Sequence, residues 1–297
     1  MEITKSGIIT IAGRPNVGKS TLTNALAGEK IAIVTSKPQT TRNRICAVVN
    51  REGNQYVFMD TPGIHKPRTR LGDYMMNVAH QSIADVDAVL MLVEPIENIG
   101  APEEELIRWI KELDVPAVLV INKIDTVKKA DLLPVMKLYG AAHEFAAILP
   151  ILAKTGEGVA ELLPLLEKFL PQGPQLFPEG TVTDQPEKQV CAEIIREKLL
   201  LCLDKEVPHG TAVEVTRFSE RENEIIDLEA TIYCEKASHK GIIIGKDGAM
   251  LKRIGALARQ DIERFMGTKV YLQTWVKVKE NWRDSENLMK NFGYRNE

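Results

Sequence analysis

The chain has 297 residues, of which 44% are hydrophobic and 27% charged, with a formal net charge of -3 at pH 7. This length and composition allow two domains with hydrophobic cores and exclude a wholly disordered chain. Its four cysteines lie far apart without a Cys-x-x-Cys pair, which argues against a zinc site or a disulfide framework. No stretch approaches the roughly 20 apolar residues that span a bilayer, so we expect a soluble, cytoplasmic protein.

The first 170 residues alternate short apolar runs with longer amphipathic runs. The apolar runs, rich in Ile, Val and Leu, predict buried strands over residues 7–12, 55–60, 88–93 and 117–122, with an added edge strand over residues 45–50. The amphipathic runs predict helices over residues 20–27, 71–84, 103–112 and 159–169. Strands that alternate with helices predict an α/β domain with a doubly wound mixed sheet and binding loops at the carboxyl ends of its strands.

A proline-rich stretch then interrupts this alternation. Four prolines and two glycines fall within residues 171–186, which predicts a linker between a domain of residues 1–170 and a domain of residues 187–297. Beyond the linker, the pattern predicts a helix, two strands, two helices that flank residues 245–248, and a final strand. This order predicts a smaller α+β domain.

The loop after the first predicted strand has the residues of a phosphate-binding motif. Residues 13–20 are Gly-Arg-Pro-Asn-Val-Gly-Lys-Ser, which matches G-x-x-x-x-G-K-[ST] between a strand and a helix. In such a loop the backbone N–H groups point at phosphate oxygens, the lysine reaches the β- and γ-phosphates, and the serine hydroxyl ligates Mg²⁺. The expected nucleotide contacts are Gly13, Asn16, Val17, Gly18, Lys19, Ser20 and Thr21.

A second motif, Asp60-Thr61-Pro62-Gly63, ends the strand predicted over residues 55–60. Taken alone it predicts only a turn, because Asp, Pro and Gly are turn formers. Because it lies downstream of a phosphate loop and at the end of a strand, we interpret it as functional. Asp60 is then expected to hold Mg²⁺ through water, and the Gly63 N–H to approach a γ-phosphate.

The third motif, Asn122-Lys123-Ile124-Asp125, ends the strand predicted over residues 117–122. Guanine presents two adjacent donors, N1–H and the 2-amine, which the Asp125 carboxylate can accept together. Adenine offers neither, so a buried Asp125 would be left unpaired against it. A helix N-cap is the alternative role for Asp125, but three motifs in this order predict GTP and GDP as ligands, with Mg²⁺.

Together these motifs resemble those of translation-factor-class GTPases, and their details resemble the Era family. Residues 37–42, Lys-Pro-Gln-Thr-Thr-Arg, resemble the first switch of that family. This implies that Thr41, with Thr40 as the alternative, binds Mg²⁺ and covers the γ-phosphate. Leu152-Ala153-Lys154 stands where the family has Ser-Ala-Lys, which implies a guanine contact from the Ala153 N–H. Leu152 departs from the family pattern, but the implied contact does not use its side chain.

The catalytic groups, beyond Lys19, Thr41 and Gly63, are less clearly indicated. Ras-like enzymes place a water-orienting Gln directly after the Asp-x-x-Gly motif, whereas this chain has Ile64, so we expect slow intrinsic hydrolysis. Asn16 resembles the position used by potassium-stimulated relatives, where K⁺ replaces an arginine finger. Its alternative role is to stabilise the loop. His65 and Arg68 are interpreted as parts of a solvated switch loop.

Residues 240–283 are basic within a chain of net negative charge, with ten Lys or Arg against four Asp or Glu. They contain Gly245-Lys246-Asp247-Gly248 between two predicted helices. The glycines of such a turn let a nucleic-acid backbone come close, while a lysine and the following helix N-terminus favour phosphate. The expected RNA contacts are Ile244, Gly245, Lys246, Asp247, Gly248 and Lys252. The groove beside them is expected to be lined by Ile242, Ile243, Ile244, Val213 and Val215.

The order helix–strand–strand–helix–GxxG–helix–strand resembles a type II KH domain. A GTPase joined to such a domain resembles the Era family over essentially the whole chain. The resemblance implies single-stranded RNA near the 3′ end of small-subunit ribosomal RNA as the target, the small ribosomal subunit as the partner, and a role in its maturation. No DNA partner is expected.

Two other functions stay open on the sequence. One is a signalling GTPase or one with peripheral membrane association, whose C-terminal domain binds protein or lipid. The basic stretch, Trp275 and Trp282 allow this, although it leaves the GxxG turn unexplained. The other is an RNA-binding protein that binds nucleotide without useful hydrolysis, which Ile64 allows.

Overall fold

A computed structural model describes residues 3–221 and 224–294 of the chain. The chain divides into two compact units. The first takes the chain up to Ala32 together with Thr41–Pro67 and Met75–Asp184. The second contains Ile33–Thr40, Arg68–Tyr74 and the chain from Gln185 onward. Two short segments from the N-terminal half therefore belong to the unit built mainly from the C-terminal half.

The first unit is built around a six-stranded sheet. Its strands are β1 (Lys5–Ala12), β2 (Ile45–Arg51), β3 (Asn54–Asp60), β4 (Ala88–Val93), β5 (Ala117–Ile121) and β6 (Ala147–Pro150). They lie in the order β2-β3-β1-β4-β5-β6. β2 pairs antiparallel with β3, and the other neighbours pair in parallel. The sheet is therefore mixed, as the sequence predicts.

Helices cover both faces of this sheet, which explains why its central strands are continuously apolar. The helices in this part of the chain are α1 (Lys19–Ala27), α2 (Arg70–Gln81), α3 (Ala101–Leu113), α4 (Lys129–Ala142) and α5 (Leu162–Glu167). All six residues of β4 are buried. Leu90 and Leu92 share a core with α1 and α5, whereas Met91 and Val93 share a core with α3 and α4.

The parallel register brings the three motifs of the first unit to one edge of the sheet. β1 pairs in parallel with β3 and β4, and β4 pairs in parallel with β5. The carboxyl ends of parallel strands meet at the same edge, which is where ligands bind in open α/β sheets. The loops after β1, β3 and β5, which contain residues 13–18, 61–64 and 122–125, therefore lie together.

Two elements, α4 and β6, were not predicted from the sequence. α4 has Pro134 in its interior, which disguised its helical pattern, and Lys128 and Asp131 form a reciprocal cap at its start. β6 has only four residues, all half-buried, at the sheet edge. A strand that short carries too little alternation to be recognised from sequence.

The proline-rich stretch predicted as a linker packs on the first unit as far as Asp184. The Gln55 side-chain oxygen accepts the N–H groups of Leu176 and Phe177 at 2.6 and 2.8 Å. The Val182 carbonyl accepts the Val48 N–H at 2.8 Å. Because these backbone groups form hydrogen bonds to the sheet of the first unit, residues 171–184 form an ordered strap along that unit.

The second unit has a three-stranded sheet with helices on one face. Its elements are α6 (Glu187–Cys202), β7 (Ala212–Glu220), β8 (Ile226–Cys234), α7 (Ala237–Ile244), α8 (Ala249–Met266), β9 (Val270–Val278) and α9 (Glu286–Asn291). β7 and β8 are antiparallel, whereas β8 and β9 are parallel. Parallel neighbours need a crossover connection, and α7, residues 245–248 and α8 supply it. Ile194, Ile243 and Ile254 from the three helices share one core with the sheet.

The C-terminal end of the second unit packs through aromatic residues. Trp282 is fully buried, and its indole N–H donates to the Gly210 carbonyl at 2.9 Å. Its ring also contacts those of Phe292 and Tyr294. Trp282 is thus a core residue and unavailable to a membrane or partner, whereas Trp275 is exposed. Across the described ranges, no helix has both the length and the apolar character needed to cross a bilayer.

Candidate functional site

The loop between β1 and α1 is packed too closely to admit side chains at its glycines. A Cβ on Gly13 would lie 2.4 Å from the Leu92 carbonyl oxygen, and a Cβ on Gly18 would lie 2.2 Å from Asn122 Nδ2. Gly18 also has a φ of 102°, which glycine adopts without the strain of other residues. α1 begins directly after Gly18, so the N–H groups of its first turn are available to an anion. The loop therefore has the geometry of a phosphate cradle.

Lys19, the first residue of α1, is 6% exposed. Its Nζ donates to the carbonyl oxygens of Gly13 and Arg14, each at 3.0 Å. Burial lowers the pKa of the Lys19 amine to about 8, although Asp60 acts in the opposite direction. A phosphate beside this amine would stabilise its charged form, because a nearby opposite charge favours ionisation.

The three predicted magnesium ligands lie within hydrogen-bond distance of one another. Ser20 Oγ donates to Asp60 Oδ2 at 2.6 Å, and Thr41 Oγ1 donates to the same oxygen at 3.3 Å. The two hydroxyl oxygens are 2.8 Å apart. Thr40, the alternative to Thr41, instead places its hydroxyl oxygen 2.7 Å from that of Thr35. Thr41 is therefore the threonine that joins the cluster.

The Asp60 carboxylate has the character of a metal ligand. Asp60 is fully buried, and its Oδ1 has no hydrogen-bond partner among the described residues. Burial raises the pKa of Asp60 to about 6, whereas Lys19 and the hydroxyls of Ser20 and Thr41 lower it. A buried, unpaired carboxylate oxygen is costly, and Mg²⁺ prefers oxygen ligands. The donor set therefore fits Mg²⁺.

Gly63 lies directly against the phosphate loop. A Cβ there would lie 2.6 Å from the Pro15 backbone nitrogen, and the neighbouring Ile64 N–H donates to the Gly13 carbonyl at 3.1 Å. The Ile64 side chain is 2% exposed and packs in the core with α3 and α4. A buried apolar side chain cannot orient the attacking water molecule. We therefore still expect slow intrinsic hydrolysis, which stays a prediction.

Asn122 and Lys123 tie the guanine motif to the phosphate loop. Asn122 Nδ2 donates to the Val17 carbonyl at 2.7 Å, and Asn122 Oδ1 accepts the Ala153 N–H at 3.0 Å. Lys123 Nζ donates to the Asn16 carbonyl at 2.6 Å. Thr21 is half-buried in the first turn of α1, and its nucleotide contact stays a prediction.

The two expected guanine contacts, from Asp125 and from the Ala153 N–H, stay predictions. The Asp125 side chain is exposed in the short 3₁₀ turn Ile124–Thr126, so only a bound base would bury it. The Ala153 N–H already has an acceptor in Asn122, because a buried N–H requires a partner. A guanine oxygen would have to share that donor.

Three charged residues at this site were not predicted from the sequence: Arg14 within the phosphate loop, and Glu94 and Glu103 outside the motifs. The Arg14 guanidinium donates to Glu94 and lies 3.6 Å from Glu103 Oε1, and Glu94 Oε1 also lies 2.6 Å from Lys123 Nζ. The available signal was an acidic residue directly after β4, at the sheet edge that holds the motif loops. Glu94 was not predicted as a site residue because it belongs to none of the three motifs.

The Gly245-Lys246-Asp247-Gly248 turn has the backbone that its glycines predict. Gly245 and Gly248 have φ of 73° and 78°, and a Cβ on Gly245 would lie 2.7 Å from Met250 Cβ. Lys246, Asp247 and the nearby Lys252 are exposed, and Ile244 is half-buried. A tight turn with exposed lysines at a helix start suits the close approach of a nucleic-acid backbone.

The groove predicted beside this turn is partly wrong. Ile243 is fully buried and Val215 is 2% exposed, and both belong to the core of the second unit. Val213, on β7, is half-buried against the same core. β7 is an edge strand, and β8 lies between it and β9. Ile242, at 50% exposed, is accessible. Ile243 cannot line the groove because it packs α7 against the sheet.

Two protein-family models match the chain, one in each of its parts. Residues 8–123 match a family described as 50S ribosome-binding GTPase, and residues 206–283 match the KH domain family. The first match contains the motifs of residues 13–20 and 60–63 and ends at Lys123, within the third motif. The second match contains the Gly245–Gly248 turn.

Similar proteins match over nearly the whole chain. GTPase Era of Ruminiclostridium cellulolyticum is 52% identical, over 98% of this chain and 98% of its own. GTPase Era of Clostridioides difficile is 49% identical with the same coverage.

Solved structures agree in fold. A crystal structure of Era in complex with MgGDPNP and nucleotides 1506–1542 of 16S ribosomal RNA matches with a TM-score of 0.95 and 38% identity, over 99% of this chain and 100% of that chain. A single-residue variant of Aquifex aeolicus Era bound to GDP and AlF4⁻ matches with a TM-score of 0.94 and 38% identity, over 98% of this chain and 100% of that chain. Because the likeness extends from the phosphate loop through the KH-type unit, this chain belongs to the Era family of GTPases.

Proposed function

We propose that this GTPase binds single-stranded RNA near the 3′ end of small-subunit ribosomal RNA, and that the bound nucleotide controls this contact while the subunit matures. One observation carries the proposal: the same chain holds the Ser20–Thr41–Asp60 cluster beside a phosphate loop and an exposed GxxG turn in a KH-type unit. The similar structure that contains nucleotides 1506–1542 of 16S ribosomal RNA supports this RNA target.

One family description and one similar structure name different ribosomal subunits. The family matched over residues 8–123 is described by the 50S subunit, whereas the structure with a 16S ribosomal RNA fragment concerns the small subunit. We favour the small subunit, because the family match ends at residue 123 and leaves out the KH-type unit, whereas the likeness to the RNA-bound structure covers 99% of the chain. A ribosomal target would also place the protein in the cytoplasm, as the sequence predicts.

The proposal includes a role for each part of the nucleotide site. The residues that would hold Mg²⁺ are Ser20, Thr41 and Asp60, and the ion would neutralise charge on the β- and γ-phosphate oxygens. Lys19 would bind those phosphates, and the Gly63 N–H would approach the γ-phosphate. Asp125 would accept the two guanine donors. The Ile64 side chain has no polar group to orient the attacking water. The rate of GTP hydrolysis would therefore depend mainly on how the site positions the nucleotide.

Residues 33–40, which belong to the second unit, give the nucleotide a route to that unit. The Val34 N–H donates to Glu197 Oε1 at 3.0 Å, and the buried Arg196 donates to the Thr40 carbonyl. Thr40 is followed directly by Thr41, whose hydroxyl joins the magnesium cluster. A nucleotide that orders Thr41 would therefore bias a segment of the second unit, as in other loop-ordering switches.

We also propose that K⁺ stimulates hydrolysis through Asn16. Asn16 has a left-handed backbone, with a φ of 66°, and its carbonyl accepts from Lys123. Loop stabilisation is the alternative role for Asn16. Phosphate release measured in K⁺ and in Na⁺ at equal ionic strength separates the two: faster release in K⁺ supports the cation, and equal rates exclude it.

RNA binding in defined nucleotide states tests the proposed function. A labelled single-stranded RNA from the small-subunit ribosomal RNA 3′ end is titrated with protein carrying a GTP analogue, GDP or no nucleotide. The double variant Gly245→Asp/Gly248→Asp should lose binding, because Asp adds negative charge and side-chain bulk where phosphate approaches. Gly255→Asp is the matched control, since Gly255 lies in α8 with open space around its Cα.

Each outcome of this titration has a defined meaning. Nucleotide-dependent binding that the double variant loses and Gly255→Asp keeps supports a GTP-controlled RNA contact. Binding that is equal in all three nucleotide states rejects the coupling. No binding in any state leaves the GTPase assignment and moves the second unit to a protein or membrane partner.

A further inference from the structure

Glu94 lies directly after β4, and its carboxylate is shared between two nucleotide motifs. Glu94 Oε1 accepts from Lys123 Nζ at 2.6 Å, and Glu94 Oε2 accepts from the Arg14 guanidinium. Arg14 belongs to the phosphate loop and Lys123 to the guanine motif. One carboxylate therefore joins the loop that follows β1 to the loop that follows β5.

A direct contact beside Glu94 joins the same two loops. Lys123 Nζ donates to the Asn16 carbonyl at 2.6 Å. Both residues have left-handed backbones, with a φ of 66° at Asn16 and 63° at Lys123. Non-glycine residues hold this conformation only where their surroundings over-determine it. The Glu94 carboxylate adds to that restraint, because it accepts from the same Lys123 amine that donates to the Asn16 carbonyl.

Arg14 is restrained on its other side by Glu103. The Arg14 guanidinium lies 3.6 Å from Glu103 Oε1, and Glu103 is 4% exposed in the first turn of α3. Arg14 thus lies between two carboxylates, one at the end of β4 and one at the start of α3. The phosphate loop is thereby attached to the scaffold through a side chain that its motif leaves unspecified.

Glu94 is charged under ordinary conditions. Partial burial alone would raise the pKa of its carboxyl, but hydrogen bonds from Lys123 and Arg14 hold that pKa below its usual value. An ionised carboxylate with two cationic donors forms charge-assisted hydrogen bonds, which are shorter and stronger than neutral ones.

We propose that Glu94 is a positioning residue for nucleotide binding, whose carboxylate fixes Lys123 and Arg14 so that the base and phosphate subsites are held at the correct separation before the nucleotide arrives. This role rests on the guanine-nucleotide site proposed above and deepens it. Glu94 contacts neither Ser20, Thr41 nor Asp60 in the described structure. Its loss should therefore weaken the binding of GTP and GDP alike and spare the chemical step.

Glu94→Gln is the informative variant, because it removes the charge and keeps the shape of the side chain. Glu97→Gln is the matched control: it removes the same charge three residues along the same loop, where the side chain is exposed. GDP and GTP-analogue affinities are measured by titration, and KM and kcat by phosphate release. We expect Glu94→Gln to weaken both affinities and raise KM by about 10-fold, a loss typical of one charge-assisted contact. We expect kcat to change by less than about twofold, since ground-state positioning is lost uniformly.

A conservative variant separates positioning from simple destabilisation of the fold. Glu94→Asp keeps the charge but is one methylene shorter, so it should recover part of the affinity, to within about threefold of the unmodified protein. Unchanged affinities in Glu94→Gln would overturn the positioning role. So would a fall in kcat as large as the rise in KM, or an equal loss in Glu97→Gln. If the unmodified protein bound no guanine nucleotide, the proposed function itself would be wrong, which is a distinguishable result.

Discussion

The phosphate loop of residues 13–20 and the turn of residues 245–248 use glycine for the same purpose and are built in different ways. In the first, Lys19 is buried and Asn122 and Lys123 bind the loop carbonyls. In the second, the two central residues are exposed and the shape comes from the positive φ of its glycines. A buried loop held by hydrogen bonds discriminates strongly among ligands, because a wrong ligand leaves buried polar groups of the site without partners. An exposed turn gives affinity that is graded, electrostatic and dependent on salt.

The largest effect is expected from Lys19→Ala in the phosphate loop. The variant removes the buried cation that would contact the β- and γ-phosphates, so GTP affinity should fall by about 100-fold or more, as for loss of a charged hydrogen bond in a buried site. Titration with a fluorescent GTP analogue measures the change. Unchanged affinity would show that the phosphates bind elsewhere.

A smaller effect, and one on specificity, is expected from Asp125→Asn. The amide keeps one acceptor for the guanine N1–H but replaces the second acceptor with a donor. GTP affinity should fall by roughly 10- to 100-fold, the range for one mismatched polar contact, and a xanthine nucleotide should gain because its 2-carbonyl accepts from the amide. Competition between the two nucleotides measures the preference. An unaltered preference would remove Asp125 from the guanine site, and the helix-capping alternative is not available because Lys123 and Lys128 occupy the N-cap positions nearby.

For the exposed turn, Lys246→Ala combined with Lys252→Ala should act through electrostatics alone. We expect about a 10-fold loss of RNA affinity at moderate salt and a shallower salt dependence, by about one unit of slope for each lost phosphate contact. Binding is measured at several salt concentrations. A loss that is the same at every salt concentration would mean that the lysines support the fold of the turn instead.

The smallest effect should come from Lys37→Met, in the segment that precedes Thr41. Lys37 Nζ donates to the Leu203 carbonyl and lies 3.3 Å from Asp204 Oδ1, an exposed partner. Because exposed ion pairs contribute little, we expect only about a two- to fivefold reduction in the effect of nucleotide on RNA affinity. Lys129→Met, an exposed lysine of α4, is the control. An unchanged nucleotide effect would remove Lys37 from the coupling route.

The sequence predicted the nucleotide site better than the RNA groove, for a physical reason. Phosphate, Mg²⁺ and guanine each impose specific donors at short, fixed spacings, and those spacings survive in the chain as Gly13 to Ser20, Asp60 to Gly63 and Asn122 to Asp125. A groove has no such spacing. Ile243 and Val215 look like groove residues in the sequence, but packing of α7 and β7 places both in the core.

Short-range patterns in the sequence therefore determined the two kinds of fold, the order of the central strands and helices, and the residues that would contact phosphate. Those features follow from local backbone preferences and from the alternation of apolar residues. The tertiary structure alone decided which polar residues meet across the chain. Glu94 reaches Arg14 and Lys123 because parallel strands bring the ends of β1, β4 and β5 to one edge, and Arg196 reaches the Thr40 carbonyl because residues 33–40 pack on α6. Contacts between residues so far apart in sequence depend on the register of the sheet and the packing of the helices, which no local pattern specifies.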